Sequence, residues 1–223
     1  MGKTLELTAA DGFKLAAYRA DPAGRPKAGL VVIQEIFGVN HHIRNVTDRF
    51  AALGYVALAP ALFDRAERGV DIGYDAAAVE RGRNLRAAIS LDDTLKDMAA
   101  AIGSLQSAGK VGVIGYCWGG SLAFLAATRL PGLACAVGYY GGMIAAHAGE
   151  KPKVPVLLHF GEKDHGIPMS DVNKVMAARP ETKVHIYPAD HGFSCDERAS
   201  FDRASHELAL ERSLAFMDEH LGG

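Results

Sequence analysis

Apolar runs and helical apolar stripes alternate along most of the chain. Residues 29–33, 55–59, 111–116 and 154–160 are almost entirely apolar. Such runs are typical of strands buried on both faces of a parallel sheet. The segments between them place apolar residues three or four positions apart, as in Ile43, Val46 and Phe50, which indicates helices with one buried face. The alternation predicts an α/β protein with a mostly parallel central sheet and helices on both faces.

Turn and cap signals predict where several elements begin and end. Ala10-Asp11-Gly12 separates two short apolar segments, which predicts an N-terminal β-hairpin. Asn40 and Ser90 stand at positions suited to cap helices, and Ser90 begins a capping-box pattern that continues to Asp93. Further helices are predicted at about 75–88, at 170–178 and at the C-terminus, and residues 61–74 are predicted to form a long loop.

Composition narrows the class of protein. The 223 residues predict one domain spanning residues 1–223, and 24 basic against 26 acidic residues leave no basic excess for binding nucleic acid. Residues 111–128 carry no charge, but their glycines favour a buried strand, turn and helix over a membrane span. Three cysteines without metal-ligand spacing, and an N-terminus without a signal sequence, predict a cytoplasmic protein with no metal site.

The strongest candidate for chemistry is the cysteine in Gly115-Tyr116-Cys117-Trp118-Gly119. The pattern matches the nucleophile elbow G-x-S-x-G, with cysteine replacing serine at a sharp strand-to-helix turn. Glycines two residues before and after the nucleophile are expected because a Cβ there would clash. The N-terminus of the following helix favours a thiolate and any oxyanion beside it. A buried structural cysteine in a Gly-rich turn is the alternative.

Three further candidates follow predicted strands. Asp164 and His191 come after Cys117 in the order nucleophile, acid, histidine, which is the order of the triad in α/β-hydrolases. His191 would act as base, and Asp164 would orient its ring. Glu35, at the end of an apolar strand, would be a partly desolvated carboxylate able to exchange a proton with a thiol. Each also has a structural alternative: a turn aspartate, an exposed loop histidine and a solvated loop glutamate.

Five segments together resemble the dienelactone hydrolases, also called carboxymethylenebutenolidases. They are 34–40 (QEIFGVN), 115–120 (GYCWGG), 138–141 (GYYG), 161–165 (GEKDH) and 191–193 (HGF). The resemblance covers nearly the whole chain. It implies an α/β-hydrolase fold, hydrolysis of an enol-lactone, and a monomeric cytoplasmic enzyme that requires no cofactor.

The resemblance also implies roles for individual residues. Cys117 corresponds to the nucleophile, and Glu35 to a glutamate that holds the resting thiol and accepts its proton when substrate arrives. The backbone N–H groups of Ile36 and Trp118 correspond to the oxyanion hole.

Substrate recognition departs from the family pattern. Two family arginines hold the lactone's carboxylate, and for the first of them Arg81 and Arg83 are both candidates. The second family arginine corresponds in position to Cys195, so Arg198 or Lys163 would have to replace it.

Two other functions are compatible with the same residues. One is hydrolysis of neutral esters by the same triad. The other is a non-catalytic redox sensor or ligand-binding module in which Cys117 and Cys195 form a regulatory pair.

Overall fold

One eight-stranded sheet forms the centre of the protein, whose computed structural model describes residues 2–222. The strands are β1 (Lys3–Thr8), β2 (Lys14–Ala20), β3 (Ala28–Ile33), β4 (Tyr55–Pro60), β5 (Val111–Tyr116), β6 (Cys135–Tyr139), β7 (Val156–Gly161) and β8 (Lys183–Tyr187). Their order across the sheet is β1-β2-β4-β3-β5-β6-β7-β8. The hairpin of β1 and β2 is antiparallel and pairs antiparallel with β4, whereas every other pairing is parallel.

Within residues 2–222, six α-helices connect or follow the strands. They are α1 (His41–Ala52), α2 (Ala76–Ala87), α3 (Leu91–Ser104), α4 (Trp118–Arg129), α5 (Met169–Ala178) and α6 (Arg203–Leu221). The caps at Asn40 and Ser90 form as predicted, because each side chain accepts a hydrogen bond from the backbone N–H three residues later. Residues 61–74, predicted as a loop, contain a short 3-10 helix at Leu62–Arg65.

The surroundings of two neighbouring residues in β6 show that helices cover both faces of the sheet. A Cβ on Gly138 would lie 2.8 Å from the Gly120 carbonyl oxygen in α4. The hydroxyl of Tyr139, the next residue of β6, lies 2.7 Å from Ser213 Oγ in α6. Since successive strand residues point to opposite faces, α4 and α6 lie on opposite sides. The predicted α/β-hydrolase architecture is confirmed.

The charge-free segment 111–128 is the buried centre of this fold. It forms β5 and nearly all of α4, and every residue in it except Cys117 is buried. Within residues 2–222, no helix has both the length and the apolar character needed to cross a membrane. The segment is apolar because it lies in the protein core, with Cys117 at the carboxyl end of β5.

Candidate active site

Cys117 occupies a strained turn between β5 and α4. Its φ of 55° lies in the left-handed region, which non-glycine residues adopt only where the surrounding structure enforces it. Its backbone N–H donates to the Tyr139 carbonyl at 3.0 Å, and its own carbonyl accepts from the Ser121 N–H at 3.2 Å. These two bonds fix the turn, and the half-buried thiol lines a cavity of about 680 Å³.

Close backbone contacts explain the glycines of the elbow. A Cβ on Gly115 would lie 2.0 Å from the Gly119 carbonyl oxygen, and one on Gly119 would lie 2.5 Å from the Ile33 carbonyl oxygen. A Cβ on Gly120 would lie 2.2 Å from the Tyr139 carbonyl oxygen. All three neighbours are backbone atoms, which cannot move aside as a flexible side chain can. The steric requirement predicted for the elbow is therefore present in this protein.

Asp164 and His191 meet beside the thiol. His191 Nδ1 lies 2.7 Å from Asp164 Oδ2, and both side chains line the same cavity as Cys117. The other carboxylate oxygen of Asp164 accepts from the backbone N–H groups of Gly166 at 2.8 Å and Ile167 at 3.1 Å. With both oxygens engaged and the side chain buried, Asp164 is held in one orientation toward the imidazole.

Opposing effects set the protonation of His191. Desolvation, the largest of them, favours the neutral ring and lowers its pKa. Hydrogen bonding to Asp164 and interaction with Cys117 act in the opposite direction, and together they raise the pKa of His191 from 6.5 to about 10. Tyr140 packs against the ring with its centroid 5.1 Å away, and it too has a positive φ, of 39°. The protonated imidazole of His191 thus interacts with two groups that can be anionic, the Asp164 carboxyl and the Cys117 thiol.

Two backbone N–H groups are candidates for an oxyanion hole. Trp118 is the first residue of α4, so its N–H has no acceptor within the helix, and Ile36 lies in the turn after β3. Within residues 2–222, neither N–H donates a hydrogen bond to another protein group. Both residues line the cavity with Cys117. The arrangement suits an oxyanion hole, as the sequence predicts.

Glu35 is buried and paired with an arginine. Its Oε1 lies 3.1 Å from Arg198 Nη1, and its side chain is 1% exposed. The guanidinium of Arg198 also packs over Phe37 and Tyr74, 5.7 and 5.8 Å from the ring centroids. Among the described residues, Glu35 forms no hydrogen bond with Cys117 Sγ. In this state Arg198, rather than the resting thiol, holds the carboxylate.

Several polar groups are buried behind Glu35. Among the residues that the structure describes, Glu35 Oε2 and His42 Nε2 are buried without a hydrogen-bond partner, whereas His42 Nδ1 lies 3.1 Å from Asp196 Oδ1. Glu35, His42 and Cys195 each offer a potential metal-ligand atom, all within 4.8 Å of one another. The Arg198 guanidinium already supplies a positive charge to Glu35, so a cation would compete with that ion pair.

Cys195 is a buried thiol. Burial raises its pKa to about 12, and its Sγ lies 3.4 Å from the Tyr74 hydroxyl. Thiol-disulfide exchange requires a thiolate. The raised pKa of Cys195 therefore argues against the regulatory pairing with Cys117.

The candidate substrate-binding arginines are in different environments. Arg81 pairs with Glu67 at 2.5 Å and lines a separate surface depression, so the structure does not bring it to the site. Arg83 and Arg198 line the cavity that contains Cys117. Arg86, which the sequence reasoning did not select, also lines this cavity. A spacing of three residues places Arg83 and Arg86 on one face of α2 and could have indicated the pair.

A glycine in α2 brings this helix close to the turn after β3. A Cβ on Gly82 would lie 1.9 Å from the Ile36 carbonyl oxygen, so only glycine permits the contact. Gly82 is also the only fully buried residue of α2. Because Ile36 supplies a candidate oxyanion N–H, the packing of Gly82 links the arginine-bearing helix to the site.

Comparisons with known proteins show the family to which this chain belongs. The chain is 33% identical to the carboxymethylenebutenolidase of Pseudomonas putida over 96% of this chain and 94% of that protein. A Synechocystis sp. protein provisionally named carboxymethylenebutenolidase is 38% identical over 89% of each chain. A crystal structure of a candidate dienelactone hydrolase from Klebsiella pneumoniae subsp. pneumoniae superposes with a TM-score of 0.86 and 28% identity, covering 98% of this chain and 99% of that chain. The family model for the dienelactone hydrolase family matches residues 15–221. The chain therefore belongs to the dienelactone hydrolase family.

Proposed function

We propose that the protein hydrolyses an enol-lactone or a related carboxylic ester, with Cys117 as the nucleophile. The observation that carries the proposal is the meeting of three groups in one cavity: the thiol at a strained elbow, the His191 imidazole and the buried Asp164 carboxylate 2.7 Å from Nδ1. Each group has the environment that covalent catalysis by a thiol requires. Membership of the dienelactone hydrolase family supports lactones and esters as the class of substrate.

The first half of the reaction acylates the enzyme. The Cys117 thiolate attacks the substrate carbonyl carbon, and the N–H groups of Ile36 and Trp118 stabilise the resulting oxyanion. As the tetrahedral intermediate collapses, the C–O bond breaks and the protonated imidazole of His191 donates its proton to the leaving oxygen. The products of this step are a thioester on Cys117 and a free hydroxyl. In a lactone the two remain parts of one molecule.

The second half regenerates the thiol. Neutral His191 removes a proton from water, whose oxygen attacks the thioester carbonyl. Collapse of the second tetrahedral intermediate breaks the C–S bond, releases the carboxylic acid and leaves the Cys117 thiolate beside the imidazolium of His191. The thiol is restored when Glu35 returns the proton that it accepted from Cys117 before the attack. Asp164 stabilises the imidazolium in both halves without itself taking the proton.

Glu35 is the auxiliary group of this proposal. In the present geometry its carboxylate accepts from Arg198, whose guanidinium also lines the cavity. A substrate carboxylate would compete with Glu35 for this guanidinium, because bidentate pairing with arginine suits either partner. Release of Glu35 would then leave a buried carboxylate able to accept the Cys117 proton. Arg198 would thus couple recognition of an anionic substrate to activation of the thiol.

Steady-state kinetics on a panel of dienelactones and neutral esters test the proposal. Cys117→Ala should abolish turnover of every compound while circular dichroism shows an intact fold. Cys135→Ala is the matched control, because Cys135 is a buried thiol of β6 outside the cavity. Turnover retained in Cys117→Ala would refute the assigned nucleophile.

Hydrolysis of neutral esters by the same residues is the second candidate function. The apolar lining contributed by Phe37, Val79 and Trp118 is the observation that favours it. Equal kcat/KM for carboxylated and neutral substrates would support this alternative. A clear preference for the carboxylated lactones would support recognition by Arg198.

A further inference from the structure

The cavity that contains Cys117 adjoins a second compartment. Arg83, Arg86, Trp118 and Met143 line both spaces, and the second has a volume of about 340 Å³. Its other walls come from the end of α2 and the beginning of α3, through Ala87, Ile89, Leu91 and Thr94. Sites for drug-sized ligands have volumes of roughly 300–1,000 Å³. The two compartments together offer space for a molecule considerably larger than a single lactone ring.

Two arginines without a carboxylate partner lie where the compartments join. Within residues 2–222, Arg83 and Arg86 form no ion pair, whereas the neighbouring Arg81 pairs with Glu67. The hydrogen-bond acceptor of Arg86 is Met143 Sδ, 3.0 Å from its Nη2. A thioether is a weak acceptor for a guanidinium, which binds carboxylates far more strongly. Two like charges three residues apart on one helix also repel each other. The weak thioether acceptor and the repulsion between the two guanidinium groups both favour the binding of an anion between Arg83 and Arg86.

The second compartment combines this charge with apolar walls. Trp118 stacks on Phe63 with ring centroids 5.4 Å apart, so its position is fixed by packing. Ile89 and Leu91 are partly buried and add aliphatic surface on the side away from Cys117. A ligand that fits both features has an apolar arm that ends in, or passes, an acid group.

We propose that this compartment is a subsite for an acidic arm of the substrate, with Arg86 binding its carboxylate beside Arg83, which is already a candidate for the first family arginine. The inference rests on the proposed function, because the reacting ester or lactone must lie at Cys117. It names the substrate class more closely: an ester or lactone carrying an apolar extension with a carboxylate at some distance from the scissile bond. This subsite is separate from the position of Arg198, which lies beside Glu35 and the segment that contains His191.

The test uses two matched series of 4-nitrophenyl esters. One series carries a terminal carboxylate on chains of roughly four to ten carbons, and the other ends in a methyl group at the same lengths. After subtraction of the uncatalysed rate, the ratio of kcat/KM between matched pairs measures recognition of the carboxylate. We expect the ratio to pass through a maximum at one chain length. Because both arginine side chains are exposed, the maximum ratio should be roughly five- to tenfold. The difference between the matched esters should arise mainly from KM.

Three substitutions locate the effect. Arg86→Gln should remove most of the carboxylate preference, whereas Arg81→Gln, on the same helix but outside both compartments, should preserve it. Ile89→Trp should fill the compartment and lower kcat/KM for the longer chains of both series relative to the shortest.

The outcomes separate this inference from the proposed function. A ratio independent of chain length, or equal effects of Arg86→Gln and Arg81→Gln, would overturn the subsite while Cys117-dependent hydrolysis remained. Hydrolysis that persists in Cys117→Ala would instead overturn the proposed function.

Discussion

Asp164→Asn is expected to move the alkaline limb of the pH-rate profile. Asparagine can still accept from the backbone N–H groups of Gly166 and Ile167, so the loop should keep its conformation. It cannot stabilise the imidazolium of His191, whose pKa is raised to about 10 in the intact site. At pH 8 a group with a pKa of 10 is about 99% protonated, whereas one with a pKa of 6.5 is about 3% protonated. The population of reactive imidazolium should therefore fall by up to about 30-fold.

The assay is kcat/KM for an activated ester between about pH 6 and pH 10.5, together with NMR titration of the His191 ring. The alkaline limb, near pH 10 in the wild type, should move down by about two pH units or more in Asp164→Asn. Asp190→Asn is the matched control, because the Asp190 carboxylate accepts from the His191 backbone N–H rather than from its ring. An alkaline limb that stays in place in Asp164→Asn would refute the role assigned to Asp164.

The same raised pKa predicts the pH dependence of stability. Because the pKa of His191 is higher in the folded than in the unfolded protein, its stabilising contribution is complete below about pH 6.5 and disappears as the pH rises through about 10. One pKa unit corresponds to about 1.4 kcal/mol, so this contribution is at most about 5 kcal/mol. Urea denaturation at about pH 6.5, 8 and 10 should show a loss of stability that is smaller in Asp164→Asn.

Three further substitutions or reagents test other contacts. Gly82→Ala should lower kcat/KM and destabilise the fold by about 1–3 kcal/mol, because the new Cβ overlaps the Ile36 carbonyl oxygen; unchanged kinetics would contradict this coupling. Arg198→Gln should lower the free energy of unfolding, measured by urea denaturation, by about 3–5 kcal/mol, because it leaves Glu35 buried and unpaired. A negligible decrease would show that the ion pair does not stabilise the fold. Iodoacetamide near pH 8 should alkylate Cys117 long before Cys195, whose pKa is about 12, and peptide mapping would reveal the reverse order.

Local patterns predict the fold and the strained turn at Cys117. The elbow depends on steric contacts within Gly115-x-Cys117-x-Gly119 and with the adjacent strand, so its requirements are visible in a short segment. The parallel strands likewise follow from continuous apolar runs, which are confirmed at β3, β4, β5 and β7. The order of Cys117, Asp164 and His191 indicated a site because the carboxyl ends of parallel strands share one edge of a sheet.

The positions of the arginines depend on packing that no short pattern reports. Residues 192, 195 and 198 lie on successive three-residue turns, joined by hydrogen bonds from the Cys195 N–H to the Gly192 carbonyl and from the Arg198 N–H to the Cys195 carbonyl. Arg198 thereby returns over Gly192, within 2.5 Å of where a Cβ would stand. On α2, the contact at Gly82 orients the helix and places Arg83 and Arg86 in the cavity.

Covalent trapping of the acyl-enzyme is the decisive experiment for the assignment of Cys117 as the nucleophile. Brief reaction with a 4-nitrophenyl ester, followed by an acid quench and peptide mass spectrometry, should reveal one acyl group per chain on the peptide containing Cys117. The burst of nitrophenolate should match the enzyme concentration and be absent in Cys117→Ala. An acyl group on a different residue, or full turnover by Cys117→Ala, would contradict the account.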